Sequence, residues 1–137
     1  MKVSEIMAKN PVTVSMNDSL ERVKSLFETT GLHHVCVLER DVLVGVVSDR
    51  DVLRNLTPFI GKLPDVTQDA PTLRKKVHQI MTRKPVTVNP DTTVVEATEA
   101  LMKYRVSCLP VVAPDRALQG IVTSNDLLRH LLTKESS

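Results

Sequence analysis

The stretch GVVSDRD at residues 45–51 returns as GIVTSND at residues 120–126. Each copy contains a glycine, two aliphatic residues, a hydroxyl residue and, three positions after the hydroxyl, an aspartate. The glycine removes a side chain from the strand, as a closely approaching neighbour would require. A second correspondence lies upstream, where KVSEIMAKNPVTV at 2–14 matches KVHQIMTRKPVTV at 76–88 at a constant offset. The chain of 137 residues is therefore an internal repeat, and each copy is expected to need the other to bury its apolar face.

The repeat predicts the domain organisation. We place the first repeat at residues 1–57 and the second at residues 73–137, with one extra residue near Arg116 in the second copy. The connector at residues 58–72 is rich in proline, aspartate and glycine, which are typical of turns and linkers. Because units of about 50 residues are marginal alone, the two repeats are expected to fold together as one module.

Each repeat predicts the same order of elements, β-α-β-β-α. The PVTV stretch indicates a short strand, and the spacings Asp18-x-x-Glu21 and Thr93-x-x-Glu96 are typical of capping boxes at helix N-termini. Gly31 is expected to end the first of these helices. Two β-rich runs and a final helix complete each repeat. The expected fold class is therefore mixed α+β.

Composition limits the classes of function. The chain has a net charge of +2, is 42% hydrophobic and is 2% aromatic, so a nucleic-acid partner is disfavoured. It contains no run of about 18 apolar residues and no secretory signal, so we expect a cytoplasmic protein without membrane association. Cys36 and Cys108 lie in aliphatic runs and are expected to be small core residues.

The hydroxyl-x-x-Asp spacing has two interpretations. Ser48 with Asp51, and Thr123 with Asp126, have the spacing of a helix N-cap, in which the hydroxyl and the carboxylate each bind a backbone amide. The same groups suit a ligand, because a carboxylate accepts hydrogen bonds from a diol and a helix N-terminus attracts phosphate. A capping aspartate can offer its other oxygen to a ligand, so the sequence leaves both interpretations open.

The tandem IM…PVTV, the LPVV stretch at 109–112 and the doubled glycine-hydroxyl-aspartate motif together resemble a pair of CBS domains, the cystathionine-β-synthase-type repeat. The resemblance implies a stand-alone Bateman module, in which two repeats pack sheet to sheet about a pseudo-two-fold axis. It further implies that clefts between the repeats bind adenosine-containing ligands. AMP, ADP or ATP are the expected ligands, S-adenosylmethionine is an alternative, and no cofactor or metal is required.

The family's binding positions can be carried over to this sequence residue by residue. They are Thr13, His34, Ser48, Asp51, Thr87, Leu109, Pro110, Val111, Thr123 and Asp126. The first repeat departs from the family pattern, because Cys36 stands where the second repeat has Pro110. His33 and His34 are adjacent on a predicted strand and point to opposite faces, so one of them at most is expected to face a ligand, and we favour His34.

A catalytic function finds little support in the sequence. The sequence contains no Walker loop, G-x-S-x-G or H-E-x-x-H motif. The resemblance implies regulation of a partner protein, which the sequence does not identify. The leading interpretation is a ligand-sensing module, expected as a homodimer. The alternative is a protein-interaction or dimerisation module whose clefts are empty. Asp51 and Asp126 discriminate between the two.

Overall fold

The computed structural model describes residues 1–56 and 71–136, which form short strands and helices. The strands are β1 (Ala8–Lys9), β2 (Thr13–Ser15), β3 (His34–Glu39), β4 (Val42–Ser48), β5 (Thr82–Arg83), β6 (Cys108–Val112) and β7 (Leu118–Thr123). The α-helices are α1 (Leu20–Thr30), α2 (Asp49–Leu56), α3 (Val77–Ile80), α4 (Val94–Tyr104) and α5 (Ser124–Ser136). Within the described residues, 3-10 helices span Val3–Glu5 and Pro71–Arg74. The mixed α+β fold class is confirmed.

The chain divides into two compact units, each of which combines segments of both repeats. The first-repeat unit comprises Val12–Arg40 and Val44–Lys84. The second-repeat unit comprises Met1–Pro11, Asp41–Leu43 and Pro85–Ser137. The repeat bounds 1–57 and 73–137 stay a prediction about the duplicated sequence, as does the sheet-to-sheet arrangement. Most of the predicted connector at 58–72 lies outside the described residues.

The N-terminal segment of each repeat joins the unit built mainly from the other repeat. In the second-repeat unit, the backbone N–H of Val3 donates to Thr92 O at 2.9 Å, and Val3 is completely buried. In the first-repeat unit, the N–H of Val77 donates to Asp18 O at 2.8 Å, and Val77 is completely buried as well. The repeated KV dipeptide thus anchors each segment beside the N-terminus of a long helix.

The first-repeat unit contains a four-stranded sheet in the order β2-β3-β4-β5. Strand β2 runs parallel to β3, with Thr13 opposite Cys36, and β4 runs antiparallel to β5, with Gly45 opposite Arg83. An aliphatic core lies against this sheet. Its most buried members are Leu20, Val23, Val35, Val37, Val47 and Val77. Because β2, β3 and β4 are neighbours, residues at their ends can contribute to one site.

The second-repeat unit contains a three-stranded sheet in the order β1-β7-β6. The second PVTV stretch was predicted to be a strand, but it forms a single parallel bridge between Val88 and Val111. Pro110 explains the difference, because proline has no N–H to extend the ladder, whereas Cys36 has one at the same place in the first repeat. The most buried core members are Val3, Ala97, Leu109, Val111 and Val122.

The helix N-caps agree with the prediction in one repeat and differ by one residue in the other. Thr93 caps α4 in a reciprocal capping box with Glu96, as predicted. Helix α1 is capped by Ser19, which accepts from the N–H of Arg22, so the predicted cap at Asp18 is wrong. Asp18 instead accepts the N–H of Ser15 at 2.7 Å and stabilises the turn before the helix.

The helix C-caps differ between the repeats. Gly31 ends α1 in the left-handed conformation, with φ of 73°, as predicted. At the same place in the second repeat, Arg105 ends α4 with φ of 53°. A side chain with a Cβ atom adopts this conformation at a cost of about 1–2 kcal/mol, which glycine avoids.

Both cysteines are core residues, as predicted. The Cys36 side chain is completely buried, and Cys108 is 8% exposed. Burial raises the pKa of the Cys108 thiol to about 12. The thiol is therefore protonated at neutral pH and contributes to the core as a small apolar group.

The repeat comparison predicts a stabilising substitution. Arg105→Gly removes the strain of a Cβ atom at a left-handed position and is expected to raise the free energy of unfolding by about 1 kcal/mol. Urea denaturation measures the change. The matched control, Gly31→Ala, introduces that strain in the first repeat and is expected to lower stability by about 1 kcal/mol. A loss of stability in Arg105→Gly would contradict the assignment of strain to this residue.

Candidate functional site

The first junction, defined as residues 48–51, is where β4 passes into α2. The backbone N–H of Ser48 donates to Asp51 Oδ2 at 2.8 Å, and the N–H of Asp51 donates to Ser48 Oγ at 3.2 Å. This is a reciprocal capping box, which satisfies two backbone donors at the helix N-terminus. The capping interpretation of the motif is confirmed here.

The second junction, defined as residues 123–126, repeats this geometry where β7 passes into α5. The N–H of Thr123 donates to Asp126 Oδ2 at 2.8 Å, and the N–H of Asp126 donates to Thr123 Oγ1 at 3.2 Å. The two junctions have the same distances because the same hydroxyl-aspartate spacing follows the same strand-to-helix turn. Each aspartate is therefore held in one orientation by its own helix.

The second oxygen of each aspartate faces an arginine one helical turn further on. Asp51 Oδ1 lies 3.7 Å from Arg54 Nη1, and Asp126 Oδ1 lies 3.5 Å from Arg129 Nη2. The aspartate side chains are 14% and 16% exposed, whereas the arginine side chains are 75% and 73% exposed. Because exposed ion pairs are weak, a ligand group can replace the arginine at this oxygen with little loss of stability.

The other predicted residues of the first-repeat unit lie on the strands beside the first junction. Thr13 is in β2, His34 begins β3, and Ser48 ends β4. The N–H of Asp49 donates to His33 O at 2.9 Å, which ties the start of β3 to the first turn of α2. The unit thus brings the predicted residues to adjoining strands, and their roles in binding stay predictions.

In the second-repeat unit, the predicted strand residues are largely core residues. Leu109, Pro110 and Val111 are fully buried in β6, and Thr87 precedes the bridge at Val88. The side chains of Leu109 and Val111 belong to the apolar cluster. A ligand contact from this stretch would therefore come from the backbone, as the resemblance implies.

A side-chain hydrogen bond at the first junction was not predicted from the sequence. His33 Nδ1 lies 2.8 Å from Asp49 Oδ2, and the two side chains are 66% and 45% exposed. The neighbouring His34 is half-buried, and burial lowers the pKa of its imidazole, with Asp49 the strongest opposing charge. The signal was SDRD in the first repeat against TSND in the second, since the first repeat has an aspartate and an arginine where the second has a serine and an asparagine.

Gly45 and Gly120 have the close neighbours that the sequence predicted. A Cβ atom at Gly45 would lie 2.7 Å from the Met81 sulfur and 2.9 Å from Thr82 O. A Cβ atom at Gly120 would lie 2.7 Å from both the Met7 sulfur and Ala8 O. The neighbour is in each case the methionine of the repeated IM pair together with the following backbone.

Two classes of site and segment are not found in the described part of the chain. Within residues 1–56 and 71–136, no group of three histidine, cysteine, aspartate or glutamate side chains could hold a metal ion. Among the same residues, no helix has the length and apolar character needed to cross a membrane.

The glycine contacts predict a destabilising substitution. Gly120→Ala forces β7 away from the Ala8 carbonyl and is expected to lower the free energy of unfolding by about 1–3 kcal/mol. Gly45→Ala is expected to have a similar effect through Thr82. Urea denaturation measures both, and Gly120→Ala combined with Met7→Ala is the control. The double variant should remain destabilised, because the backbone carbonyl is still in place; full recovery would show that the thioether alone is responsible.

His34 predicts a pH dependence of stability. Burial lowers its folded-state pKa below the ordinary value of 6.5, so the unfolded chain binds more protons in the window below 6.5. The free energy of unfolding is therefore expected to fall as the pH is lowered through this window. Between about pH 8 and about pH 5, denaturation should show a smaller loss of unfolding free energy in His34→Gln than in the natural chain. Equal losses in both chains would contradict a buried neutral His34.

Comparisons with known proteins identify the family. The CBS domain profile matches residues 3–58 and 77–133. A CBS domain-containing protein of Dictyostelium discoideum is 33% identical over 95% of this chain and 90% of its own length. An inosine-5′-monophosphate dehydrogenase of Korarchaeum cryptofilum is 30% identical over 92% of this chain. The chain spans 23% of that enzyme, and 45% of an uncharacterised protein of Methanocaldococcus jannaschii that is also 30% identical.

Solved structures of CBS pairs are similar along nearly the whole chain. The CBS domain pair of protein MJ0100, in complex with 5′-methylthioadenosine and S-adenosyl-L-methionine, has a TM-score of 0.83 and 27% identity, and the match covers 98% of each chain. CBSX2 in complex with AMP has a TM-score of 0.82 and 28% identity over 98% of each chain. Together with the doubled capping junctions, these matches show that the chain belongs to the CBS domain family and carries two CBS domains.

Proposed function

We propose that this protein is a regulatory module that binds adenosine-containing ligands of the AMP, ADP or ATP type at its two junctions. One observation carries the proposal. Each junction presents an aspartate that is 14–16% exposed and whose Oδ2 is fixed by a backbone N–H, while Oδ1 faces an exposed arginine. The aspartate is thus preorganised as a hydrogen-bond acceptor.

The chemistry of each junction suits a nucleoside. A carboxylate oxygen can accept the hydroxyl protons of a ribose, because an ionised aspartate is an acceptor without donors. The adjoining helix N-terminus carries a positive partial charge that favours phosphate. Thr13 in the first-repeat unit and Thr87 in the second-repeat unit are proposed to line the base pocket, with backbone groups at 109–111 contacting the base in the second-repeat unit.

The relatives support the adenosine class. The ligands in the MJ0100 and CBSX2 complexes are 5′-methylthioadenosine, S-adenosyl-L-methionine and AMP, and all of them contain adenosine. We further propose that the module is not catalytic and transmits its ligand state to a partner protein. The match to a minor part of an inosine-5′-monophosphate dehydrogenase supports an accessory role. A ligand can shift the module between two states through its differential affinity for them.

An exposed leucine surface favours a second candidate function. Leu128, Leu131 and Leu132 on α5 are 57%, 53% and 67% exposed. Contiguous exposed apolar residues are typical of protein-interaction surfaces. The alternative is therefore an interaction module, most simply a homodimer in the cytoplasm, whose junctions serve as helix caps without a ligand.

Isothermal titration with AMP, ADP, ATP and S-adenosylmethionine tests the proposal, with Asp51→Glu and Asp126→Glu as variants. Glutamate retains the capping box and the charge, but its longer side chain moves the free oxygen. We expect saturable binding in the natural chain and at least a tenfold loss of affinity at the altered junction. Stability should change by less than about 0.5 kcal/mol, which separates ligand binding from capping.

Two further results would decide between the candidates. Ser48→Ala removes a capping acceptor and is expected to lower stability by about 1 kcal/mol whether or not a ligand binds. A folded chain that binds none of the four ligands would contradict the sensing function. Sedimentation analysis of Leu128→Ser combined with Leu132→Ser then tests the interaction module, which predicts that the assembly is lost.

A further inference from the structure

The two junctions share one backbone geometry and the same net charge, but their charged side chains are placed differently. At the first junction, the first turn of α2 contains Asp49 and Asp51. At the second junction, Ser124 takes the place of Asp49, and Asp126 is the acidic residue of the first turn of α5. The backbone is the same at both places, since Asp49 N donates to His33 O and Ser124 N donates to Ser107 O, each at 2.9 Å. The difference is therefore one of side chains.

Asp49 is held on the side of the helix N-terminus that faces strand β3. Its Oδ2 lies 2.8 Å from His33 Nδ1, and its side chain is 45% exposed, so its charge is partly desolvated. Among the charged groups that act on the half-buried His34, Asp49 is the strongest. His34 is held neutral by burial and does not offset this charge. In the second repeat the same position is Cys108, whose buried thiol is also neutral.

The arginines do not remove the difference. Arg54 faces Asp51 as Arg129 faces Asp126, at 3.7 Å and 3.5 Å, so these pairs contribute equally to both junctions. His33 and Arg50 act on His34 in the opposite direction, each less strongly than Asp49, and Arg50 is exposed. The carboxylate beside the start of β3 is specific to the first junction, because Ser124 takes the place of Asp49 in the second.

We propose that the two junctions select ligands by charge: the second junction takes phosphate-bearing adenosine ligands, whereas Asp49 restricts the first to adenosine ligands without a 5′-phosphate. This inference rests on the proposed function. A phosphate at the N-terminus of α2 would lie near the Asp49 carboxylate, and like charges within about 4–6 Å oppose each other by tenfold or more in equilibrium. A neutral thioether or a cationic sulfonium at the 5′ position avoids this repulsion.

The test compares AMP with 5′-methylthioadenosine, which have the same nucleoside but differ in charge at the 5′ position. Isothermal titration of the Asp126→Glu chain measures the first junction, and titration of the Asp51→Glu chain measures the second. We expect the first junction to bind methylthioadenosine at least tenfold more tightly than AMP. Adding Asp49→Ser to the Asp126→Glu chain should raise the affinity of the first junction for AMP about tenfold. The affinity for methylthioadenosine should change by less than about twofold.

The reciprocal exchange and two controls complete the experiment. Ser124→Asp at the second junction should lower the affinity for AMP about tenfold and leave the affinity for methylthioadenosine nearly unchanged. Glu21→Ser removes an exposed carboxylate from α1 and should leave the ligand preference unaltered, which controls for net charge. Raising the salt concentration should reduce the effect of Asp49→Ser, because screening weakens exposed charges.

Each remaining outcome overturns the inference in a recognisable way. If both ligands bind but Asp49→Ser leaves their affinity ratio unchanged, the selection by Asp49 is wrong and the sensing function stands. If Arg50→Asn changes the ratio more than Asp49→Ser does, the arginine and not the carboxylate determines the selectivity. If neither ligand binds to the natural chain, this inference and the proposed function fail together.

Discussion

The close approach of two backbones at Gly45 and Gly120 is the constraint on which the rest of the structure depends. At each glycine a carbonyl oxygen of the short edge strand lies within 2.9 Å of the position that a Cβ atom would take. The glycine lets β5 pair with β4 and β1 pair with β7. These pairings hold the N-terminal segment of one repeat in the unit of the other, so each unit contains chain from both repeats.

The strands that contain these glycines end at the capping junctions, so the same segment controls stability and the candidate site. Three and six residues after each glycine, respectively, a hydroxyl residue and an aspartate satisfy the first backbone donors of the next helix. The cap fixes the aspartate, which removes an entropic cost that a ligand would otherwise meet. An alanine at this aspartate would change both properties together, whereas a glutamate separates them.

The two repeats show how a duplicated fold diverges at single positions without a change of architecture. Gly31 and Arg105 end equivalent helices in the same conformation. Cys36 and Pro110 occupy the same strand position, and the missing N–H of the proline shortens the neighbouring strand to one bridge. Asp49 and Ser124 begin equivalent helices with different charge. The fold tolerates these changes because the aliphatic core and the glycine contacts are kept in both copies.

Local sequence patterns predicted the duplication, the two β-rich runs and the final helix of each repeat, the helix ends at Gly31 and Thr93 and the capping pairs of the two junctions, because these depend on residues a few positions apart. The sequence also predicted the family and the crowded glycines. Only the tertiary structure shows which strand lies against each glycine, that β1 and β5 each pair with a strand of the other repeat, and that His33 contacts Asp49. Those contacts join residues far apart in the chain, so they depend on how the strands are ordered in the sheets, which no local pattern specifies.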